Sequence, residues 1–213
     1  MTYIDLAFHI QSQQPIPADH GYLLFSAVAG FVPEVHHENG IGIHPIRGRQ
    51  IGDRQLMLSE HSRLAIRVQD GQIAPLLKLA GKLLRVGDSQ IRVGVPEVRS
   101  LIPAPVLRSR LVTIKIKGVG AEQLQPDNFT AALRKQLKTI EISEQVNIII
   151  PPRRDNGQPS RRALHLKGKK IVGYEIILEG VSAEESLKVQ EHGLGGKRHM
   201  GCGVFVAFRG GNR

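Results

Sequence analysis

Twice along the 213-residue chain, side chains alternate apolar and polar, then recur at helical spacing, then alternate again, and the second pass keeps the order of the first. A pattern with period two marks a strand with one buried face, and a period near 3.6 marks a helix with one buried stripe. The first pass predicts a strand over 2–10 and a helix over 20–31, with Asp19 as N-cap and Leu23, Leu24, Ala27, Val28 and Phe31 on its apolar side. Two or three short strands are expected over 41–51 and 55–68, a helix over 73–79 stopped by Gly81, and strands over 82–86 and 89–95. Three prolines, Pro96, Pro103 and Pro105, place a linker over 97–105. The second pass predicts a strand over 107–117 and a helix over 127–140 carrying Phe129, Leu133 and Leu137 on one face. Strands over 145–150, 162–166 and 170–179 follow, then a helix over 182–190 opened by the capping box of Ser182 and Glu185, and a last apolar strand over 204–208. Each half reads β-α-β-β-α-β. The expected fold is therefore α+β: two tandem ferredoxin-like domains, 1–96 and 106–213, on the scaffold also used by RNA-recognition motifs.

Before the last strand lies Gly193-Leu-Gly-Gly-Lys-Arg-His-Met-Gly-Cys-Gly203, with no carboxylate from Gly193 to the end of the chain. Glycines let peptide N–H groups converge on an anion without Cβ interference. Two nucleotide motifs fail here. A phosphate-binding G-x-x-x-x-G-K-[ST] loop needs Ser or Thr after its lysine and a helix beyond it, whereas Lys197 is followed by Arg198 and then a strand. A dinucleotide G-x-G-x-x-G fails because Arg198 stands three after Gly195. The same glycines would also suit a long hairpin connection that uses them for geometry alone. No cofactor is expected.

Charge favours a polyphosphate partner. The chain carries 29 Lys and Arg against 19 Asp and Glu, a formal net charge of +10, the footprint of a nucleic-acid binder. Arg153, Arg154, Arg161, Arg162, Lys167, Lys169 and Lys170 crowd into one stretch against the single Asp155. Such a run serves equally as a solvated loop, but each phosphate it neutralises would release counterions. The single Cys202 excludes an internal disulfide and any multi-cysteine zinc site. With no signal segment and no apolar run of spanning length, a cytoplasmic protein with no membrane partner is expected. Trp is absent, Phe and Tyr are few, and neither half has the RNP1 aromatic pattern, so recognition by stacking of many bases is disfavoured.

The duplicated order and the placement of the glycine loop resemble the CRISPR-associated endoribonucleases that process repeat RNA. These belong to a repeat-associated RNA-binding superfamily with a glycine-rich loop at this place. The match is most similar to the myxobacterial-type branch. Its segments are Pro17-Ala-Asp-His-Gly-Tyr22, Gly42-Ile-His-Pro-Ile46, Ser109-Arg-Leu-Val-Thr-Ile-Lys115, Lys167-Gly-Lys-Lys-Ile-Val-Gly173 and Ser182-Ala-Glu-Glu-Ser-Leu187.

The resemblance implies metal-independent cleavage of precursor CRISPR RNA within each repeat. A ribose 2′-OH attacks the adjacent phosphate, leaving a 2′,3′-cyclic phosphate and a 5′-hydroxyl, and the product is often retained in an interference complex with other subunits. A base, an acid and charge stabilisers are required. The resemblance puts a catalytic histidine in or just after the first helix. His36 is the first candidate and His44 the second, with His37, Tyr22, Arg47 and Arg49 as possible helpers. His20, at the helix start, is weighed as a cap or an RNA contact. These histidines lack the spacing or cysteines of a metal site. The basic run, together with Gly193, Gly195, Gly196, Lys197, Arg198 and His199, is expected to hold RNA. The competing reading is a non-catalytic RNA-binding subunit of the same kind of complex, and a third is a basic ribosome- or transcript-associated protein. Monomer and homodimer both remain open.

Overall fold

The structure is a computed structural model and describes residues 2–36 and 40–208, so the candidate His37 lies outside the described residues. The chain divides into two compact units. One runs to Ser100 and also includes His199–Gly201; the other runs from Leu101 to Arg198 and resumes at Cys202.

The first unit contains β1 (Tyr3–Gln11), β2 (Ile16–Pro17), α1 (Gly21–Ala29), β3 (Gly42–Ile43), β4 (Arg49–Gln50), β5 (Gln55–Met57), β6 (Arg63–Gln69), α2 (Ile73–Leu76), β7 (Leu83–Val86) and β8 (Ser89–Ser100). Its main sheet is antiparallel in the order β3-β6-β1-β8-β7, and β2-β5-β4 form a small second sheet. The second unit contains β9 (Val106–Val112), α3 (Pro126–Thr139), β10 (Asn147–Ile149), β11 (Arg161–Leu166), β12 (Lys169–Glu179), α4 (Ala183–His192) and β13 (Val206–Ala207). Its sheet runs β10-β12-β9-β13, with β11 also paired to β12. In the second sheet β9 lies between β12, which precedes α4, and β13, which follows it, the ferredoxin-like order. In the first, β1 lies between β6, which precedes α2, and β8, with the intervening strand β7 turned back onto the outer edge of β8. The mixed α+β architecture expected from the duplicated pattern is present.

Apolar periodicity explains the cores. On β1, Ile4, Leu6, Phe8 and Ile10 alternate inward, and α1 buries Leu24, Phe25, Val28 and Ala29. On α3, Phe129, Leu133 and Leu137 are fully buried at four-residue spacing and join Tyr174, Ile176 and Leu178 of β12 in one cluster. Burying each such side chain contributes about 1.5–3 kcal/mol. Ser182 caps α4 as its sequence predicts: its hydroxyl accepts from the Glu185 N–H, and the Glu185 side chain accepts from the Ser182 N–H. No described helix is long and apolar enough to cross a membrane.

Four local expectations change. The expected linker begins later, because residues 97–100 stay in β8 and pair with β1 from Ala7↔Glu97 to Ile4↔Ser100. Pro96 is tolerated there because the register slips between Phe8 and Ile10, and such an irregularity removes the need for a ladder N–H. Second, β9 stops at Val112 rather than continuing to 117, because the Leu111 and Thr113 carbonyls accept from Gly203 and Gly196 of the glycine loop instead of from a strand. Third, the 73–79 segment is only one α-turn followed by a 3-10 turn, Leu77–Leu79.

The fourth change concerns the start of α1. The N-cap position belongs to His20 rather than Asp19, and the His20 side chain makes no capping bond. Instead its imidazole, 1% exposed, donates Nδ1–H to the Pro17 carbonyl at 2.8 Å and accepts at Nε2 from the Ile46 N–H at 2.9 Å. Both ring nitrogens are thus committed, which fixes one neutral tautomer and ties the chain after β3 to the start of α1. His20→Ala should lower unfolding stability by about 2 kcal/mol, because it strands a buried carbonyl and a buried amide. A urea midpoint equal to that of the parent chain would contradict this role.

Candidate functional site

In the first unit three rings meet. Phe25, buried on α1, packs edge-on against His36 with centroids 4.9 Å apart and planes at 77°, and against His199 at 4.5 Å and 54°. The two imidazoles are therefore no farther apart than the sum of those distances. His36 ends the 3-10 turn Pro33–His36 and is exposed, while Val35 beside it is buried and anchors the turn. His199 sits in the 3-10 turn Arg198–Met200 and is half-buried. Its turn is seated by Gly201, at φ +83°, where a Cβ would stand 3.1 Å from the Pro45 ring and 3.5 Å from the Ile43 carbonyl. Aromatic contacts of this kind restrict ring orientation and contribute about 0.5–1.5 kcal/mol each. Tyr22 is half-buried three residues before Phe25, hence on a neighbouring part of α1, and its hydroxyl makes no hydrogen bond among the described residues. Arg47 and Arg49 are exposed beyond β3.

His44 has a different setting. Its Nε2 lies 3.1 Å from Asp5 Oδ1, and the buried Arg67 grips the same carboxylate with Nε at 2.8 Å and a terminal nitrogen at 2.9 Å. Asp5 and Arg67 are direct cross-strand partners on β1 and β6, so the sheet register itself makes the pair. Burial pushes the His44 imidazole below its ordinary value, opposed by its bond to Asp5. Burial would raise the Asp5 carboxyl, but His44 and Arg67 together outweigh it and hold the group well below the carboxylate range. At neutral pH the neutral imidazole donates Nε2–H to a carboxylate whose charge partner is Arg67. His44 is thus tied into an internal network, whereas His36 faces outward.

In the second unit the glycine loop spends its amides on the protein. The N–H groups of Gly193, Leu194, Gly196, Cys202 and Gly203 donate to the carbonyls of Val189, Gly203, Thr113, Lys197 and Leu111, and that of Gly195 donates to the Gln136 side chain at 2.7 Å. A Cβ on Gly195 or Gly203 would collide with the carbonyl of Thr113 or Leu194. The expected cradle of converging amides is therefore replaced by backbone packed on backbone, and glycine is required there by space. Gly196 is exposed with open space where a Cβ would stand. Arg198 lies over Gly193 and donates to the Glu191 carbonyl at 2.8 Å, at the negative end of α4. Lys197 is exposed, at φ +65°.

The basic stretch is likewise sorted by its partners. Arg153 forms a bidentate pair with Asp155, and Arg161 donates to the Ala121 carbonyl. Arg162 and Arg108 share the buried Glu175, which also accepts from the Ser160 hydroxyl at 3.1 Å. Burial would raise the Glu175 carboxyl, and the two guanidiniums bring it below its ordinary value. Arg154, Lys167, Lys169 and Lys170 are exposed. Lys167 and Gly168, at φ +47° and +78°, turn the β11–β12 hairpin, the two positive values that a tight primed turn demands, so three lysines cluster at its tip. Among the described residues no three His, Cys, Asp or Glu side chains converge to hold a metal ion.

Sequence reasoning singled out His36 and His199 separately but missed Phe25, which joins them; a buried aromatic on an amphipathic helix carries no mark of a second task.

A family model described as Cas6 Crispr matches residues 4–210. The chain is 34% identical over 206 residues to the CRISPR-associated endonuclease Cas6 of Myxococcus xanthus (strain DK1622), which covers 97% of this chain and 82% of that protein. A solved structure of a CRISPR associated protein Cas6 superposes with a TM-score of 0.70 at 16% identity, covering 98% of this chain and 99% of the other. A structure described as an RAMP protein binding different RNA substrates gives 0.69 at 17% identity, covering 98% and 100%. At that identity the structural likeness speaks for the fold.

Acid should expose the His44–Asp5–Arg67 network in two steps. The folded imidazole titrates below its unfolded value of about 6.5, so its contribution is full above that pH and declines beneath it. The Asp5 contribution is full above about pH 4 and is lost as pH falls further toward the depressed folded value. Arg67→Met should cost about 3 kcal/mol at neutral pH by leaving the carboxylate without its charge partner, and should flatten the lower step. Denaturant melts at a series of pH values check both; an unaltered acid limb in the variant would contradict the assignment.

Proposed function

This chain belongs to the Cas6 CRISPR family, and on that footing we propose that it is an endoribonuclease that cuts CRISPR precursor RNA within its repeats to release guide RNAs. The observation that carries the reading is His36, an exposed imidazole held edge-on by Phe25 just after the first helix. An imidazole exchanges protons near neutral pH and so serves as base or acid toward a ribose hydroxyl or a leaving oxygen. The reaction is transesterification without metal: the 2′-oxygen bonds to phosphorus, the bond from phosphorus to the 5′-oxygen breaks, and a 2′,3′-cyclic phosphate and a 5′-hydroxyl result. His36 is preferred to His44, whose Nε2 is held at Asp5 inside the sheet. Tyr22 orients the phosphate and Arg47 offsets its growing charge.

RNA is gripped by Lys167, Lys169 and Lys170 at the hairpin tip, with Arg154 and Lys197, all exposed cations. Arg153, Arg161, Arg162 and Arg198 mainly organise the protein, since their guanidiniums are engaged internally. The product stays bound and passes to an interference complex. The cytoplasm is its place of work.

Labelled repeat RNA incubated with the protein in EDTA should yield a fragment ending in a cyclic phosphate, and His36→Ala should slow saturated cleavage by roughly 100-fold or more with little change in RNA affinity. Uncut RNA that remains tightly bound would instead favour a non-catalytic RNA-binding subunit. Replacing Lys167, Lys169 and Lys170 together by Ala should weaken binding and reduce the slope of log K against log salt by about 2; an unchanged slope would remove the hairpin tip from the interface.

A further inference from the structure

The glycine loop contributes more than grip. Its turn Arg198–Met200 carries one imidazole, His199, against the ring of Phe25, which His36 also contacts. His199–Gly201 cluster with the first unit, although the residues on both sides of them cluster with the second. The placement is enforced by specific packing: Met200 is buried, and Gly201 is pressed against Pro45 and the Ile43 carbonyl with a positive φ that disfavours other residues. Within the second unit, the close approach of Gly195 to Thr113 and of Gly203 to Leu194 fixes where the loop leaves and returns. A loop needed only to display cations would not require its histidine to be half-buried against an aromatic ring while Lys197 beside it is exposed.

We propose that His199 is the second proton-transfer group of this site, working with His36 on either side of one phosphodiester. The inference rests on the cleavage reading above. One imidazole takes the proton of the attacking 2′-OH as the oxygen–phosphorus bond forms; the other, protonated, gives its proton to the departing 5′-oxygen as that bond breaks. No proton is gained or lost overall, and the pair ends in the reversed protonation state, which water resets. Their common contact with Phe25 keeps the two imidazoles in one neighbourhood, and a base and an acid placed there act on the attacking and leaving oxygens of one phosphate.

The test is single-turnover cleavage of repeat RNA at saturating protein by the wild type, His36→Ala, His199→Ala and His199→Gln, across a pH series. RNA affinity and thermal midpoint are measured alongside. Each strand is also supplied with sulfur replacing the 5′-bridging oxygen, a leaving group that needs no proton. The expected result is a bell-shaped wild-type profile, a loss of roughly 100-fold or more in saturated rate for both His199 variants with affinity nearly unchanged, and loss of one limb of the bell. Sulfur should restore cleavage to either the His36 or the His199 variants, whichever lacks the acid, and not to both. If His199→Ala does not fold, His199→Gln is read in the same way. A saturated rate equal to the wild type in folded His199 variants, or a defect confined to affinity, overturns the inference while leaving the cleavage reading intact. Absence of cutting by the wild type overturns both.

Discussion

Two backbone hydrogen bonds, from Gly196 N–H to the Thr113 carbonyl at 2.8 Å and from Gly203 N–H to the Leu111 carbonyl at 2.7 Å, set what the rest of the molecule does with its glycine-rich segment. They end β9 as a regular strand and clamp both feet of the loop. The residues between the feet, Lys197 to Cys202, have a defined path as a result, and a 3-10 turn within that path carries His199. A flexible anion-binding loop and a rigid presenting loop have the same composition. They differ only in where the N–H groups point, and here most of them point into the protein.

Much of the fold was legible because period and caps are local. Alternation on β1 and β12, the Phe129, Leu133 and Leu137 stripe on α3, and the Ser182 and Glu185 cap on α4 all depend on residues within one or two turns of each other. The misreadings came from partners that sequence distance hides. Pro96 reads as a linker because a proline normally breaks a ladder, yet a register slip opposite it lets β8 run on to Ser100. His20 reads as a cap or a ligand, while its actual partners are Pro17 and Ile46, the latter 26 residues away.

The candidate site rests less on local pattern. That a histidine after the first helix could matter followed from the resemblance, and His36 is where the aromatic contact lies. The separation of His36 from His44 needed three dimensions: both stand near β3 in sequence, but only the pairing of β1 with β6 brings Asp5 and Arg67 to His44. The union of His36 with a residue of the final loop through Phe25 has no local trace at all.

Glu175 has a consequence for how the protein is seen from a distance. Arg108 and Arg162 share its single negative charge, and Arg153 is matched one to one by Asp155, so part of the guanidinium charge is cancelled at close range, and the field of a matched pair fades faster than that of a lone charge. The lysines at the Lys167–Gly168 turn remain monopoles raised on a hairpin. At physiological salt, where screening acts over about 8 Å, an approaching polyanion would sense that tip first. Capture would then begin at this hairpin, so that a chain basic throughout its sequence acquires a preferred point of first contact.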